Sequence, residues 1–121
     1  MSESTDRPIE LDAEDAKLVT LARSARARNM AAEGAAVRDD TGRTYVATTV
    51  ELISLQLSAL QAAVVMAVAS GAAGLEAAAI VSASDDVRTD DIAVVADLSA
   101  GVPIYLARPD GTAHRVVRRH E

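Results

Sequence analysis

Glu33-Gly34-Ala35-Ala36-Val37 and Tyr45-Val46-Ala47-Thr48-Thr49, separated by Asp39-Asp40-Thr41-Gly42, decide how this chain folds. Each flank is a short, mainly apolar run, and the intervening turn contains a glycine free to adopt positive φ, so the pair predicts a β-hairpin. Beyond it the period changes. From about Ser54 to Ala69, Leu57, Leu60, Ala63, Val64, Ala67 and Val68 recur at helical spacing, and Gly71 and Gly74 mark the stop. Ala77 to Ser82 is then a continuous apolar run, which suits a strand buried on both faces.

Upstream, Asp12 is placed to cap a helix with Glu14 and Asp15 in its first turn and Leu18, Leu21, Ala22 and Ala25 on its apolar side. Arg23, Arg26 and Arg28 fall toward its end, where cations suit the dipole. Downstream, Thr89 reads as the N-cap of a helix carrying Asp90 and Asp91 in its first turn and Ile92, Val95, Ala96 and Leu98 as its apolar positions. Pro103 to Ala107 and His114 to Val117 read as strands around the turn Arg108-Pro109-Asp110-Gly111. This order predicts an α/β fold, a three-layer α/β/α sandwich with a mixed five-stranded sheet. Residues 1–10 are polar and acidic and are expected to be disordered, leaving residues 11–121 as a single domain.

The composition narrows the function. Half of the 121 residues are hydrophobic, yet only Tyr45 and Tyr105 are aromatic, so the core must be built from Ala, Val, Leu and Ile. A formal net charge of −6 argues against nucleic acid as a partner, since phosphate binding needs a basic surface. The absence of cysteine excludes disulfides, thiol nucleophiles and thiolate metal sites. Leu52 to Ala69 is interrupted by Gln56, Ser58 and Gln61, so a buried amphipathic helix explains it better than a membrane span. Met1 to Glu10 lacks the order of a signal peptide, and a cytoplasmic location is expected.

Three stretches together resemble the small, free-nucleoside cytidine deaminases, from about Leu11 to Val117. Glu33-Gly34-Ala35-Ala36-Val37 with its turn to Gly42-Arg43 is similar to that family's Val-Gly-Ala-Ala hairpin. Thr49-Val50-Glu51-Leu52-Ile53-Ser54 is similar to its Asn-Val-Glu-Asn-Ala-Ser segment, and Pro103 to Gly111 to its final hairpin. The resemblance implies a cytidine-deaminase-like sandwich. In that family a Cys-Ala-Glu motif opens the central helix and a Pro-Cys-x-x-Cys motif opens the next. Three thiolates, or a His and two, leave zinc an open position for water, and the Glu shuttles protons to the pyrimidine.

Counted from Val50-Glu51, the first Cys position falls on Leu60, the Ala on Gln61 and the catalytic Glu on Ala62. Counted back from Val94-Val95, the other two Cys positions fall on Arg88 and Asp91. Leu cannot ligate a metal, Arg brings a permanent positive charge, Ala cannot move a proton, and Asp91 alone cannot hold catalytic zinc. The chain therefore resembles a degenerate member of the family lacking the zinc ligands and catalytic Glu, with no catalytic residue, metal or cofactor expected. Glu51 stands at the position of the ribose-binding Glu, Thr49 at that of its partner Asn, and Ala31 at that of a pocket Phe. The simpler reading of Glu51 is a solvated or helix-capping carboxylate.

The remaining candidates weigh less. Arg88 and Asp91 are placed either to pair across the former metal site or to stand exposed at a helix start. Asp85, Asp86, Asp90 and Asp91 read as an acidic loop and helix start before they read as a Mg²⁺ or Ca²⁺ site. Arg115, Arg118, Arg119 and His120 read as a solvated basic end, and His114 and His120 lack partners at metal spacing. Ser54, Ser58 and Ser70 lack a His-acid arrangement for nucleophilic catalysis. The central helix is apolar nearly all round, which needs more cover than one sheet provides, so a homo-oligomer (dimer or tetramer) is expected.

The first expectation is a catalytically inactive cytidine-deaminase-like protein acting as a structural or interaction module. Its alternatives are a non-catalytic nucleoside- or nucleotide-binding module around Glu51 and Thr49, and an active zinc-dependent cytidine deaminase, which the missing Cys and Glu disfavour. A nucleoside is thus a candidate ligand, while nucleic acid and membrane are not expected partners.

Overall fold

The computed structural model describes residues 2–4 and 8–119. In chain order the elements are β1 (Ser2–Ser4), α1 (Ala13–Asn29), β2 (Glu33–Asp39), β3 (Thr44–Thr48), β4 (Val50–Glu51), β5 (Gln56–Leu57), α2 (Ala59–Ala69), β6 (Leu75–Ser82), α3 (Thr89–Leu98), β7 (Ile104–Ala107) and β8 (Ala113–Val117). The main sheet runs β1-β8-β7-β6-β2-β3. Only β6 and β7 pair in parallel, with α3 as their crossover, so the sheet is mixed as expected. The five expected strands form its body, and β1 adds a short sixth at the β8 edge. Disorder over residues 1–10 is therefore not what the chain does at Ser2–Ser4, where the free edge of β8 offers backbone partners. Met1 and residues 5–7 lie outside the described residues.

The helices lie on both faces. Side chains alternate along the sheet, so Ala36, Ala77, Ala79 and Val81 meet Leu18, Val19 and Ala22 of α1. On the other face Ala35, Val37, Ala78, Ile80, Ile104 and Leu106 meet Leu60, Ala63, Val64 and Ala67 of α2 and Val95 of α3. The approach is closest at Gly34, where a Cβ would stand 2.1 Å from the carbonyl oxygen of Ala22. The first helix starts where expected, with Asp12 accepting from the Asp15 amide at 2.8 Å. Tyr105 and Arg38 both donate to Asp15, at 2.8 and 3.0 Å, and tie the start of α1 to β7 and β2.

Two helix starts differ from expectation. The central helix begins at Ala59, not near Ser54, because Ser58 and Gln61 form a capping box while residues 50–57 fold into the β4–β5 ribbon. In α3, Thr89 is the first helical residue. Arg88 is the N-cap and makes no side-chain capping bond. Among the described residues no helix is long and apolar enough to cross a membrane.

Asp39 holds the β2–β3 turn together. Its carboxylate, 2 % exposed, accepts from the Thr41 hydroxyl at 2.7 Å, the Thr41 and Arg43 amides at 2.9 and 3.0 Å, and the Tyr45 hydroxyl at 2.9 Å. The Thr41 hydroxyl first, and then these other donors against the cost of burial, hold it down to about 2. Stabilisation of this kind is present above the ordinary carboxylate range and is lost as pH falls toward 2. Asp39→Asn should lower the thermal midpoint at neutral pH, with the gap to wild type narrowing as pH is taken from 5 to about 2. Gly34→Ala should cost about 1–3 kcal/mol in denaturant unfolding, because the Ala22 carbonyl must move to admit the methyl.

Candidate functional site

The starts of α2 and α3, which carry Leu60, Ala62, Arg88 and Asp91, converge on one face of the sheet. Beside them, Glu33 at the start of β2 pairs in register with Ser82 at the end of β6. Leu60 is fully buried in the α2–sheet core, in one apolar cluster with Val95, and Ala62 is also buried. Asp91 is 2 % exposed and accepts a hydrogen bond from the Ser58 hydroxyl at 2.6 Å. Burial pushes the Asp91 carboxyl above the ordinary range. The Ser58 bond opposes this, Glu33 adds to it, and the charge of Arg88 opposes it more weakly.

Arg88 does not bridge to Asp91. Its guanidinium is largely exposed and stands 3.7 Å from Glu33, so the pairing weighed across the site is replaced by one that reaches back to β2. Glu33 is itself nearly buried, and its Oε1 receives no hydrogen bond, leaving the Arg88 charge to offset it. The sequence reading places Glu33 only in the hairpin and Ser58 as a break in an apolar segment without a nucleophile's partners, and neither as part of this site. The signal for Ser58 is Ser58-x-x-Gln61 ahead of an apolar run, a capping box. Glu33 has no such signal, because its burial follows from strand register.

Thr49 and Glu51, the two expected ligand-binding positions, are not equivalent. Thr49 is half-buried, and its hydroxyl accepts from the Glu33 amide at 3.2 Å, fastening β2 to the start of the ribbon. Glu51 is exposed on β4, opposite Gln56. Ala31 is half-buried and supplies no ring.

The donor set does not suit zinc. Leu60 and Ala62 have no ligand atom, Arg88 is a cation turned toward Glu33, and Asp91 Oδ1 is already hydrogen-bonded. Among the described residues no group of three or more His, Asp or Glu could hold a metal ion. The acidic loop is divided between ion pairs, Asp85 with Arg108 at 3.6 Å and Asp86 with Arg115. That pairing also takes one member of the basic end back into the fold. His114 is buried on β8, and His120 lies outside the described residues. Ser54 lies in the ribbon turn and Ser70 caps the end of α2.

The comparisons agree with this architecture. A family model for cytidine deaminase-like proteins matches residues 11–111. The chain belongs to the cytidine deaminase-like family. Among curated proteins none matches it. Cytidine deaminase from Burkholderia pseudomallei superposes with a TM-score of 0.73 at 22% identity, over 84% of this chain and 90% of that one. The cytidine deaminase from Mycobacterium tuberculosis gives 0.64 at 24% identity, over 88% and 91%. That from Mycobacterium leprae gives 0.63 at 19%, over 87% and 94%. At these identities the solved structures speak for the fold.

Leu60 fills space in a packed core. Leu60→Ala should therefore cost about 2–5 kcal/mol in denaturant unfolding. Arg88→Ala, which removes an exposed charge from a 3.7 Å pair, should cost under about 1 kcal/mol.

Proposed function

We propose that the chain is a non-catalytic member of the cytidine deaminase-like family, acting as a structural or interaction protein and working as a homo-oligomer in the cytoplasm. The reading rests on one observation. The positions that the resemblance assigns to zinc and proton transfer carry Leu60, Ala62, Arg88 and Asp91, and no cysteine exists anywhere in the sequence. Hydrolytic deamination needs an activated water and a group that moves protons onto the ring and the leaving nitrogen. An aliphatic side chain, a methyl, a guanidinium and one hydrogen-bonded carboxylate supply neither.

Association is supported by the surface next to the site. Among the described residues, six of the eight large apolar side chains left exposed fall between Leu52 and Val68: Leu52, Ile53 and Leu55 in the ribbon turn, and Val65, Met66 and Val68 on α2. No charged residue occurs from Leu52 to Leu75, although the chain carries a net charge of −6. A neutral, apolar face lets like-charged copies approach where the rest of the surface would repel them.

Three measurements test the proposal on purified protein. Metal analysis should find no stoichiometric zinc, and incubation with cytidine should release no ammonia; zinc together with ammonia release defeats the reading. A nucleoside thermal-shift screen should give no stabilisation, whereas a ligand at 100 times its dissociation constant would add about 2.7 kcal/mol and favour a binding module. Size-exclusion chromatography with light scattering should report an oligomer that Met66→Asp disrupts, and a wild-type monomer would remove the oligomeric part of the proposal.

A further inference from the structure

We propose that Ser58 and Asp91 form a metal-free crosslink between the N-termini of α2 and α3, holding together the two helix starts that zinc would otherwise bridge. The inference rests on the reading that Leu60, Ala62, Arg88 and Asp91 hold no zinc. It assigns the site a present structural role.

The geometry carries it. Ser58 and Asp91 are 3 % and 2 % exposed, and Ser58 Oγ lies 2.6 Å from Asp91 Oδ1 across 33 residues of sequence. The direction of the bond follows from its partners. An ionised Asp91 can only accept, so the Ser58 hydroxyl donates its one hydrogen to Oδ1 while its oxygen accepts from the Gln61 amide at 3.1 Å. The Gln61 side chain accepts from the Ser58 amide at 2.9 Å and closes the capping box, which fixes where the hydroxyl sits.

Asp91 occupies the first turn of α3, where a carboxylate is favoured by the positive end of the dipole. Its carboxylate reaches across to the capping residue of the neighbouring helix. One carboxylate thus faces the N-termini of both helices, as a shared metal would, but through a hydrogen bond instead of coordination. Around it, Leu60 takes the first thiolate position and buries itself in one cluster with Val95. Arg88 takes another and turns to Glu33. Leu60, Asp91 and Arg88 are thus each engaged in a contact of their own.

A double-mutant cycle on the full chain tests the crosslink, reading the thermal midpoint of Ser58→Ala, Asp91→Ala and the pair. Each single change should lower the midpoint by roughly 4–8 °C or more, and the double should fall well short of the sum. Asp91→Asn keeps an acceptor for the Ser58 hydroxyl and should retain most of the midpoint that Asp91→Ala loses. Midpoints should not change with EDTA or added zinc. Additive losses, or equal damage from Asp91→Asn and Asp91→Ala, overturn the crosslink. If Asp91→Ala cannot fold, Asp91→Asn still decides: a folded protein supports the crosslink and an unfolded one overturns it. Bound zinc with chelator-sensitive stability would instead overturn the underlying reading of the site, so the two failures are distinguishable.

Discussion

The fold depends on how closely helices can lie on a sheet whose middle is made of alanine. Ala35, Ala36, Ala77, Ala78 and Ala79 on β2 and β6 present little more than a methyl to either side. A core without phenylalanine or tryptophan must gain its contact area by proximity, since each buried apolar square ångström contributes only about 25 cal/mol. Gly34 is the extreme case, where α1 rests on bare backbone. Larger residues are interleaved with these alanines, Val37 on β2 and Ile80 and Val81 on β6, and Leu18, Leu60, Ile104 and Leu106 pack from the helices and β7.

The same demand for closeness explains what surrounds the starts of α2 and α3. Two helix starts brought this near each other leave amide groups and partial positive charge that must be satisfied. A carboxylate and a hydroxyl do this through Asp91 and Ser58, and the capping box with Gln61 orients the hydroxyl. Glu33 and Arg88 complete the outer side at longer range. Buried polar groups are stable only when paired, so each of these residues constrains the identity of the others.

The sequence made the architecture readable because its signals are local. The Asp12 cap, the Asp39-Asp40-Thr41-Gly42 turn and the unbroken Ala77–Ser82 run each act over a few residues, and each element formed where its signal lay. The start of α2 was misplaced because Leu52, Ile53, Leu55 and Leu57 continue an apolar character that a helical period can absorb, while the Ser58-x-x-Gln61 box that sets the start was overlooked. The neighbours of the site were less accessible. The resemblance singled out Leu60, Ala62, Arg88 and Asp91, but the Ser58–Asp91 bond joins residues 33 apart, and no periodicity reports such a contact. Glu33 became a member only through its register against Ser82.

The Ile9 amide donates to the carbonyl of Ala113 at 2.8 Å, so the segment ahead of α1 is laid along β8, more than a hundred residues later. During synthesis that stretch waits for β8 to emerge, because β8 follows the parallel β6–β7 pair that itself needs α3 in place. Closure of this border is a late event in the life of the molecule. A change in the segment ahead of α1 would therefore be felt at β8.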